Sequence, residues 1–465
     1  MPLSPAFRRV TKMRNNLIIY SVLAAALLLA AVMGYRGFMH SHDTTWDENI
    51  YMSLGEKLAA DPFSYSPSSI ADSFRENKTN APAYLNEPLF KHPPLFPYLI
   101  AALFHVVRSP LLAAFYVSFV SGICIVIAAF FIGKEVFDAR AGALAALLAA
   151  ADPIRLTCSV KMWPDSTLAA LMLAALLFMI KAVKRDSARF YIIAGLLAGL
   201  AMLAKYPAML LFPAGLWMLL VFNPASIRGK KFLLWPVVAF AVFLPWLIWN
   251  FQVYGAGFVP AMTRLHGVRP LFIYNFTAAA ALIAAAYLVA SRLPEKIRFF
   301  LVAAALAWIF CLPYVSKALA GMLDVSFIPS HGWVSGMFSY EPRFFYIRRL
   351  IELSPFFFVS FLGILLIAKP RHRSLYILIP ALLTLVFYVF WGSYQSRYLL
   401  FASPLLMITA SYVIISLRDR IAGTAVPPAA KTALYAALTA TVMFFFVKTI
   451  CVDIGMSLVN DLAYF

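Results

Sequence analysis

Long apolar runs alternate along the chain with short polar breaks, and the run lengths are those a bilayer sets. The first, about 17–38, follows Arg8, Arg9, Lys12 and Arg14, and no small-residue cleavage pattern comes after it. It is too long for the apolar part of a signal peptide and predicts a retained first span. Runs of spanning or near-spanning length recur at roughly 111–133, 141–156, 164–183, 190–204, 206–222, 232–250, 270–290, 299–318, 354–368, 374–391, 397–416 and 432–451. The pattern predicts an all-α polytopic membrane protein of about thirteen transmembrane helices, organised as a single domain over 1–465.

One further apolar stretch, 93–107, is short and opens with a double proline, so it either crosses or lies along the interface. Charge decides. With 93–107 outside the count, the short inside connections hold 22 of the 39 basic residues and 5 of the 20 acidic ones. Making it a crossing would invert every later connection and move the basic clusters outside, against the positive-inside rule. It is therefore expected as a juxtamembrane helix on the outer face, within a long outer loop at 39–110; a second long outer loop covers 319–353. Shorter outer connections fall near 152–165, 205, 251–269 and 392–397.

Composition agrees with this picture. At 63% hydrophobic, 13% charged and a mean hydropathy of +0.83, the chain has too little polar surface for a soluble domain. The net charge of +19 is explained by topology, and no Lys/Arg-rich arm with interleaved aromatics points to nucleic acid. Cys124, Cys158, Cys311 and Cys451 form no C-x-x-C pair and read as packing residues. The segments 61–73 and 421–430 read as loops.

Chemistry concentrates in the outer segments. Asp47-Glu48 sits just beyond the first span, ahead of a helical-looking stretch from Met52 to Ala60. A carboxylate there suits the activation of a hydroxyl, although acids at a helix start also complement the dipole. Lys91-His92-Pro93-Pro94-Leu95 holds two cations against rigid prolines at the depth of a lipid phosphate, where snorkelling alone would also place them. Lys161-Met162-Trp163-Pro164-Asp165 puts an acid at the edge of a span, as a group of functional depth or as a helix cap. Lys205-Tyr206-Pro207 interrupts an apolar stretch, and Gln395-Ser396-Arg397-Tyr398 opens a span. Arg264-Leu265-His266-Gly267-Val268-Arg269 offers a phosphate clamp, with the imidazole a candidate metal ligand or simply solvated. Tyr340, Glu341, Arg343, Tyr346, Arg348 and Arg349 read either as site residues or as an amphipathic surface helix.

These pieces resemble the GT-C class of polyprenyl-phosphate-sugar-dependent glycosyltransferases, in the branch of protein O-mannosyltransferases and lipid A aminoarabinose transferases. The most specific element is the Asp-Glu-x-x-Tyr motif, matched by Asp47-Glu48-Asn49-Ile50-Tyr51. Lys91 to Leu95 matches a Pro-Pro-Leu motif preceded by charges, Asp152-Pro153 and Pro164-Asp165 match the connection between the third and fourth spans, and Arg397-Tyr398 matches a span-opening Arg-Tyr. His266-Gly267-Val268-Arg269 resembles a His-x-x-Arg of the aminoarabinose branch, which implies a phosphate contact for Arg269. That branch has Glu-Lys before the double proline, the Glu a metal ligand; here the pair is Lys91-His92, which leaves a divalent metal open. No Asp-x-Asp of the oligosaccharyltransferase type is evident.

The resemblance implies transfer of a sugar from a polyprenyl-phosphate donor to an acceptor hydroxyl on a protein, lipid or glycan, by a single inverting displacement. Asp47 is expected as the base, with Asp165 as a second catalytic acid. Glu48, Tyr51, Lys91, His92 and Lys205 are expected to contact substrate, with His266, Arg269, Arg397 and Tyr398. Compact loops and the lack of an ER-retention signal suit a bacterial inner membrane with a periplasmic site, where the formal sequon at Asn77-Lys78-Thr79 carries little meaning. The alternatives are a transporter or flippase of an anionic lipid-linked glycan, weakened by the lack of matching broken helices in two halves, and a membrane scaffold.

Overall fold

The structure, a computed structural model, describes residues 5–41, 44–67, 70, 85, 88–255, 345–365, 373–390 and 395–458. Every regular element among them is helical. Helix α1 (Pro5–His40) carries the first apolar run; α2 (Trp46–Ala60) and α3 (Leu95–Val107) belong to the first outer segment and pack on each other. The expected helix over 93–107 is thus present, starting after the double proline.

Helix α4 (Pro110–Val136) starts at Ser109, whose hydroxyl accepts from the Leu112 N–H at 3.3 Å, and has proline in its first turn. Helix α5 (Ala139–Ala150) starts at Asp138, which accepts from the Ala141 N–H at 2.9 Å. These two pack so closely that a Cβ on Gly142 would stand 2.5 Å from the Phe130 carbonyl oxygen, and one on Gly133 2.9 Å from the Gly142 Cα. Small residues are what let two backbones approach this way inside a bilayer.

The single run expected over 141–156 is broken. Helix α6 (Pro153–Val160) leaves α5 at an angle of 56°. Asp152 accepts from the Ile154 N–H at 3.0 Å and Pro153 occupies the first turn, so this Asp-Pro pair ends one helix and begins the next. All eight residues of α6 are buried, so the segment 152–165 is a packed element rather than a surface connection.

Next come α7 (Asp165–Arg185), α8 (Ala188–Ala204), α9 (Leu211–Phe222) and α10 (Leu234–Tyr254). Lys205-Tyr206-Pro207 does interrupt the apolar stretch, through a 3-10 turn at Tyr206–Leu210. The later elements are α11 (Phe345–Leu353), α12 (Pro355–Leu365), α13 (Leu375–Phe390), α14 (Ala402–Gly423) and α15 (Pro428–Leu458). The run expected from 397 is a helix only from Ala402, because Ser396–Leu399 form a 3-10 turn. Helix α11 is amphipathic, with Tyr346 buried and Arg349 facing Glu352 at 3.4 Å. The runs 270–290 and 299–318 and most of the second long loop lie outside the described residues.

Among the described residues, five helices are long and apolar enough to cross a membrane, or six with the bent pair counted as one span. Large apolar side chains such as Leu28, Phe240 and Phe444 face outward, as lipid-facing surfaces require. Cys158 packs in the core as expected, whereas Cys124 and Cys451 are exposed on helix faces, and Cys311 lies outside the described residues. At the basic end of the helices Arg140 donates to Asp419 at 2.9 Å, Arg185 faces Glu135 at 3.4 Å and Lys231 meets Asp186 at 2.8 Å. The outer segments therefore meet at the opposite end.

The α4–α5 crossing has no room for a side chain. Gly142→Val is expected to destabilise the protein by about 1–3 kcal/mol, while Gly423→Ala, with no neighbour within 4 Å of the added carbon, changes little. Thermal unfolding in detergent checks both.

Candidate functional site

The start of α2 is fastened before anything else at the site is positioned. Glu48 Oε2 accepts from the Thr45 N–H at 2.5 Å, the return contact of a capping box, and Oε1 accepts from the Met162 N–H at 2.8 Å. The Lys161 ammonium stands 3.8 Å from the same carboxylate, and Trp163 Nε1 donates to Thr45 Oγ1 at 3.1 Å. Glu48 is fully buried. It ties α2 to the segment after α6, with both carboxylate oxygens engaged inside the protein.

One position earlier on α2, Asp47 projects the other way. Arg397 Nη2 donates to Asp47 Oδ2 at 2.9 Å, while Oδ1 has no donor among the described residues. The Asp47 side chain is 42% exposed and that of Arg397 11%. Burial alone would push the Asp47 carboxyl up, but the Arg397 charge and hydrogen bond, with His92 and Lys205 nearby, outweigh it and hold the group below its ordinary value.

Arg397 lies flat on its support, with its guanidinium carbon 4.4 Å from the Trp163 ring centre and 5.6 Å from that of Tyr398. Tyr398 stacks on Tyr388 of α13 at 4.9 Å and receives the Lys205 ammonium at 5.4 Å from its ring centre. Lys205 in turn donates to both Asp165 oxygens, at 2.9 and 3.1 Å. Asp165, at 4% side-chain exposure, is much less accessible than Asp47. Asp47, Arg397, Tyr398, Lys205 and Asp165 thus form a continuous chain of contacts.

Behind this chain sits the double-proline segment. Tyr51 meets the buried His92 ring edge-on at 5.0 Å and Phe96 at 5.4 Å, and the Tyr65 hydroxyl donates to the His92 carbonyl. Tyr51 and His92 lie beneath the site surface. Burial pushes the Lys91 ammonium below the ordinary lysine value, against the pull of Tyr398 and Asp47, which places it beside the same cluster. A small cleft opens here, with Asp165, Arg397 and Tyr398 at one part and Leu168, Met172 and Leu210 along another.

His266 and Arg269 lie outside the described residues. Trp163 and Tyr388 are the contributors that the motif reading passed over. Trp163 was visible as an aromatic between two charges, and Tyr388 as a hydroxyl-bearing ring within an apolar run. Among the described residues no three His, Cys, Asp or Glu side chains gather as a metal site, and Asp47, Glu48 and Asp165 each already accept from protein N–H groups. Among the described residues, this donor set does not form a divalent-cation site.

Comparison with known proteins bears on this geometry. Residues 91–249, about a third of the chain, match the family described as dolichyl-phosphate-mannose-protein mannosyltransferase. No curated protein sequence matches the chain. The archaeal oligosaccharyltransferase AglB from Archaeoglobus fulgidus, in complex with an inhibitory peptide and a dolichol-phosphate, is similar at a TM-score of 0.60 and 17% identity, over 94% of this chain and 56% of that one. ArnT from Cupriavidus metallidurans bound to undecaprenyl phosphate is similar at 0.53 and 16% identity, over 96% and 76%. A third structure, the Archaeoglobus fulgidus oligosaccharyltransferase in complex with Zn and sulfate, gives 0.53 at 16% identity, over 93% and 53%. The chain spans little more than half the length of the oligosaccharyltransferase, and at these identities the likeness is one of fold. The resemblance carried by the motifs is found again in the whole-chain architecture: this multi-pass membrane protein has the GT-C fold, and its residues 91–249 match the protein mannosyltransferase family.

Proposed function

We propose that the protein transfers a sugar from a polyprenyl-phosphate donor to an acceptor hydroxyl, at the periplasmic face of a bacterial inner membrane. The observation that carries this reading is the pairing of Asp47 with Arg397, which also lines a cleft together with Leu168, Met172 and Leu210. Asp47 keeps one oxygen open and stays ionised, as a base for a hydroxyl must. The cations beside it suit a phosphate, and the apolar walls suit the first carbons of an isoprenoid. Two proteins of similar fold were solved with dolichol-phosphate and undecaprenyl phosphate. The face follows from the positive-inside rule, the basic connections lying at the other end of the helices.

In this mechanism the acceptor oxygen attacks the anomeric carbon as its proton passes to Asp47 Oδ1. The bond between the anomeric carbon and the phosphate oxygen breaks, and polyprenyl phosphate leaves with the electron pair. One displacement inverts the anomeric centre. Arg397, Lys205 and Lys91 stabilise the negative charge on the leaving phosphate. Asp165 acts by holding Lys205 in place, because both its oxygens are engaged there. Tyr51 and His92 support α2 and the double-proline turn from below.

Release of polyprenyl phosphate from a panel of polyprenyl-phosphate sugars, with envelope extract as acceptor source, tests this. Asp47→Asn is expected to lower turnover by about 10²–10⁴-fold with donor binding retained. Lack of turnover by the wild type across the panel, with lipid binding intact in both forms, would support transport instead.

The pH profile gives a second test. A base whose pKa is depressed stays active until the pH falls through that lowered value, so the acidic limb of kcat/KM is expected below about 3.9, the ordinary aspartate value. Arg397→Gln removes the largest lowering influence and leaves burial opposed only by His92 and Lys205, so the limb is expected to move to higher pH along with a loss of rate.

A further inference from the structure

Arg155 of α6 lies below the site and is 1% exposed. Its Nε donates to the Ala149 carbonyl at 3.0 Å and its Nη2 to the Ala150 carbonyl at 2.7 Å, while Nη1 reaches Ser159 Oγ at 3.5 Å. Ala149 and Ala150 are the last residues of α5, where carbonyls have no partner within the helix and the dipole is negative. One side chain from α6 therefore closes the C-terminus of α5, and the bend of 56° is held from its inner side.

Asp152, fully buried in the same bend, divides its carboxylate. Oδ1 accepts from the Ile154 N–H at the start of α6, and Oδ2 accepts from Ser403 Oγ at 2.6 Å. Ser403 is the second residue of α14, directly after the turn that carries Arg397 and Tyr398. On the remaining side α15 packs on α6 and contributes Asp453, which is fully buried, interacts electrostatically with Arg155 and has no hydrogen-bond donor among the described residues.

Burying one guanidinium and two carboxylates costs free energy, and apolar side chains of similar volume commonly serve stability as well or better. What the cluster does provide is a fixed distance. Helix α6 leads into Lys161, Trp163 and Asp165, and α14 follows Arg397, so the Asp152–Ser403 contact and the Arg155 clasp set the spacing between the two arms of the site.

We propose that Arg155 is a positioning residue for the transfer reaction: it locks the α5–α6 bend and, with Asp152 and Ser403, holds the Asp165 segment in register with Arg397. This rests on the transferase reading above.

The test uses the full-length protein in nanodiscs. Arg155→Met is expected to lower kcat by about 10–100-fold, the scale of a misplacement near 1 Å, with donor KM within about twofold, and Arg155→Lys to recover part of the loss. In a double-mutant cycle with Arg397→Lys the two losses are expected to fall short of multiplying, because the second change finds Arg397 already displaced. A wild-type kcat in folded Arg155→Met, or losses that multiply, would overturn the proposal. Should Arg155→Met not fold, Ser403→Ala takes its place in the same cycle with the same criteria. Should the wild type show no turnover, the transferase reading fails, and the cycle is read in the affinity for polyprenyl phosphate, where coupled losses sustain the positioning role and multiplying losses overturn it.

Discussion

Arg397 donates to Asp47 across 350 residues of sequence, and the rest of the site depends on where that guanidinium lies. It holds the Asp47 carboxyl below its ordinary value in a partly buried position, and among the described residues it does so at one oxygen only. Its own place is set by the Trp163 ring beneath it and by Tyr398 next to it. A lysine would keep the charge but not the planar fork that stacks and donates together. The geometry around Asp47 is thus built from α2, the segment after α6 and the turn before α14.

Charge in a membrane protein is expensive wherever water is excluded, and the pairing pattern reflects that cost. Glu48 with Lys161, Asp165 with Lys205 and Asp47 with Arg397 are three acid–base pairs at one end of the helices. Two of them are nearly closed to solvent and fasten segments together. The third has the most exposed carboxylate, the feature on which the proposed role of Asp47 rests. In the proposed reaction, a phosphate among Arg397, Lys205 and Lys91 would meet cations such as Arg397 and Lys205 already oriented by their partners, so little reorganisation would be needed as its charge increases.

Much of the fold was legible because bilayer thickness fixes the length of an apolar run. The site was legible in part. Asp47, Lys205 and Arg397 stood out as ionisable groups at the outer edges of spans, where their presence requires a reason. The bend at Asp152 was not, since an Asp-Pro pair can end a helix at a surface loop or, as here, start a buried one. The different surroundings of Asp47 and Glu48 were not legible from their adjacency: neighbouring residues of a helix point about 100° apart, so one of the two acids is partly exposed and the other faces the interior. Trp163 beneath Arg397, and Ser403 against Asp152, are contacts between distant segments that no local pattern encodes.

An experimental structure of the protein with bound polyprenyl phosphate, by cryo-electron microscopy in nanodiscs, tests the central claim most directly. The account predicts the phosphate within hydrogen-bond distance of Arg397, Lys205 or Lys91, the first isoprene units against Leu168 and Met172, and Asp47 facing the open side of the phosphorus. A phosphate bound away from these cations, or one reached only from the opposite end of the helices, would contradict it.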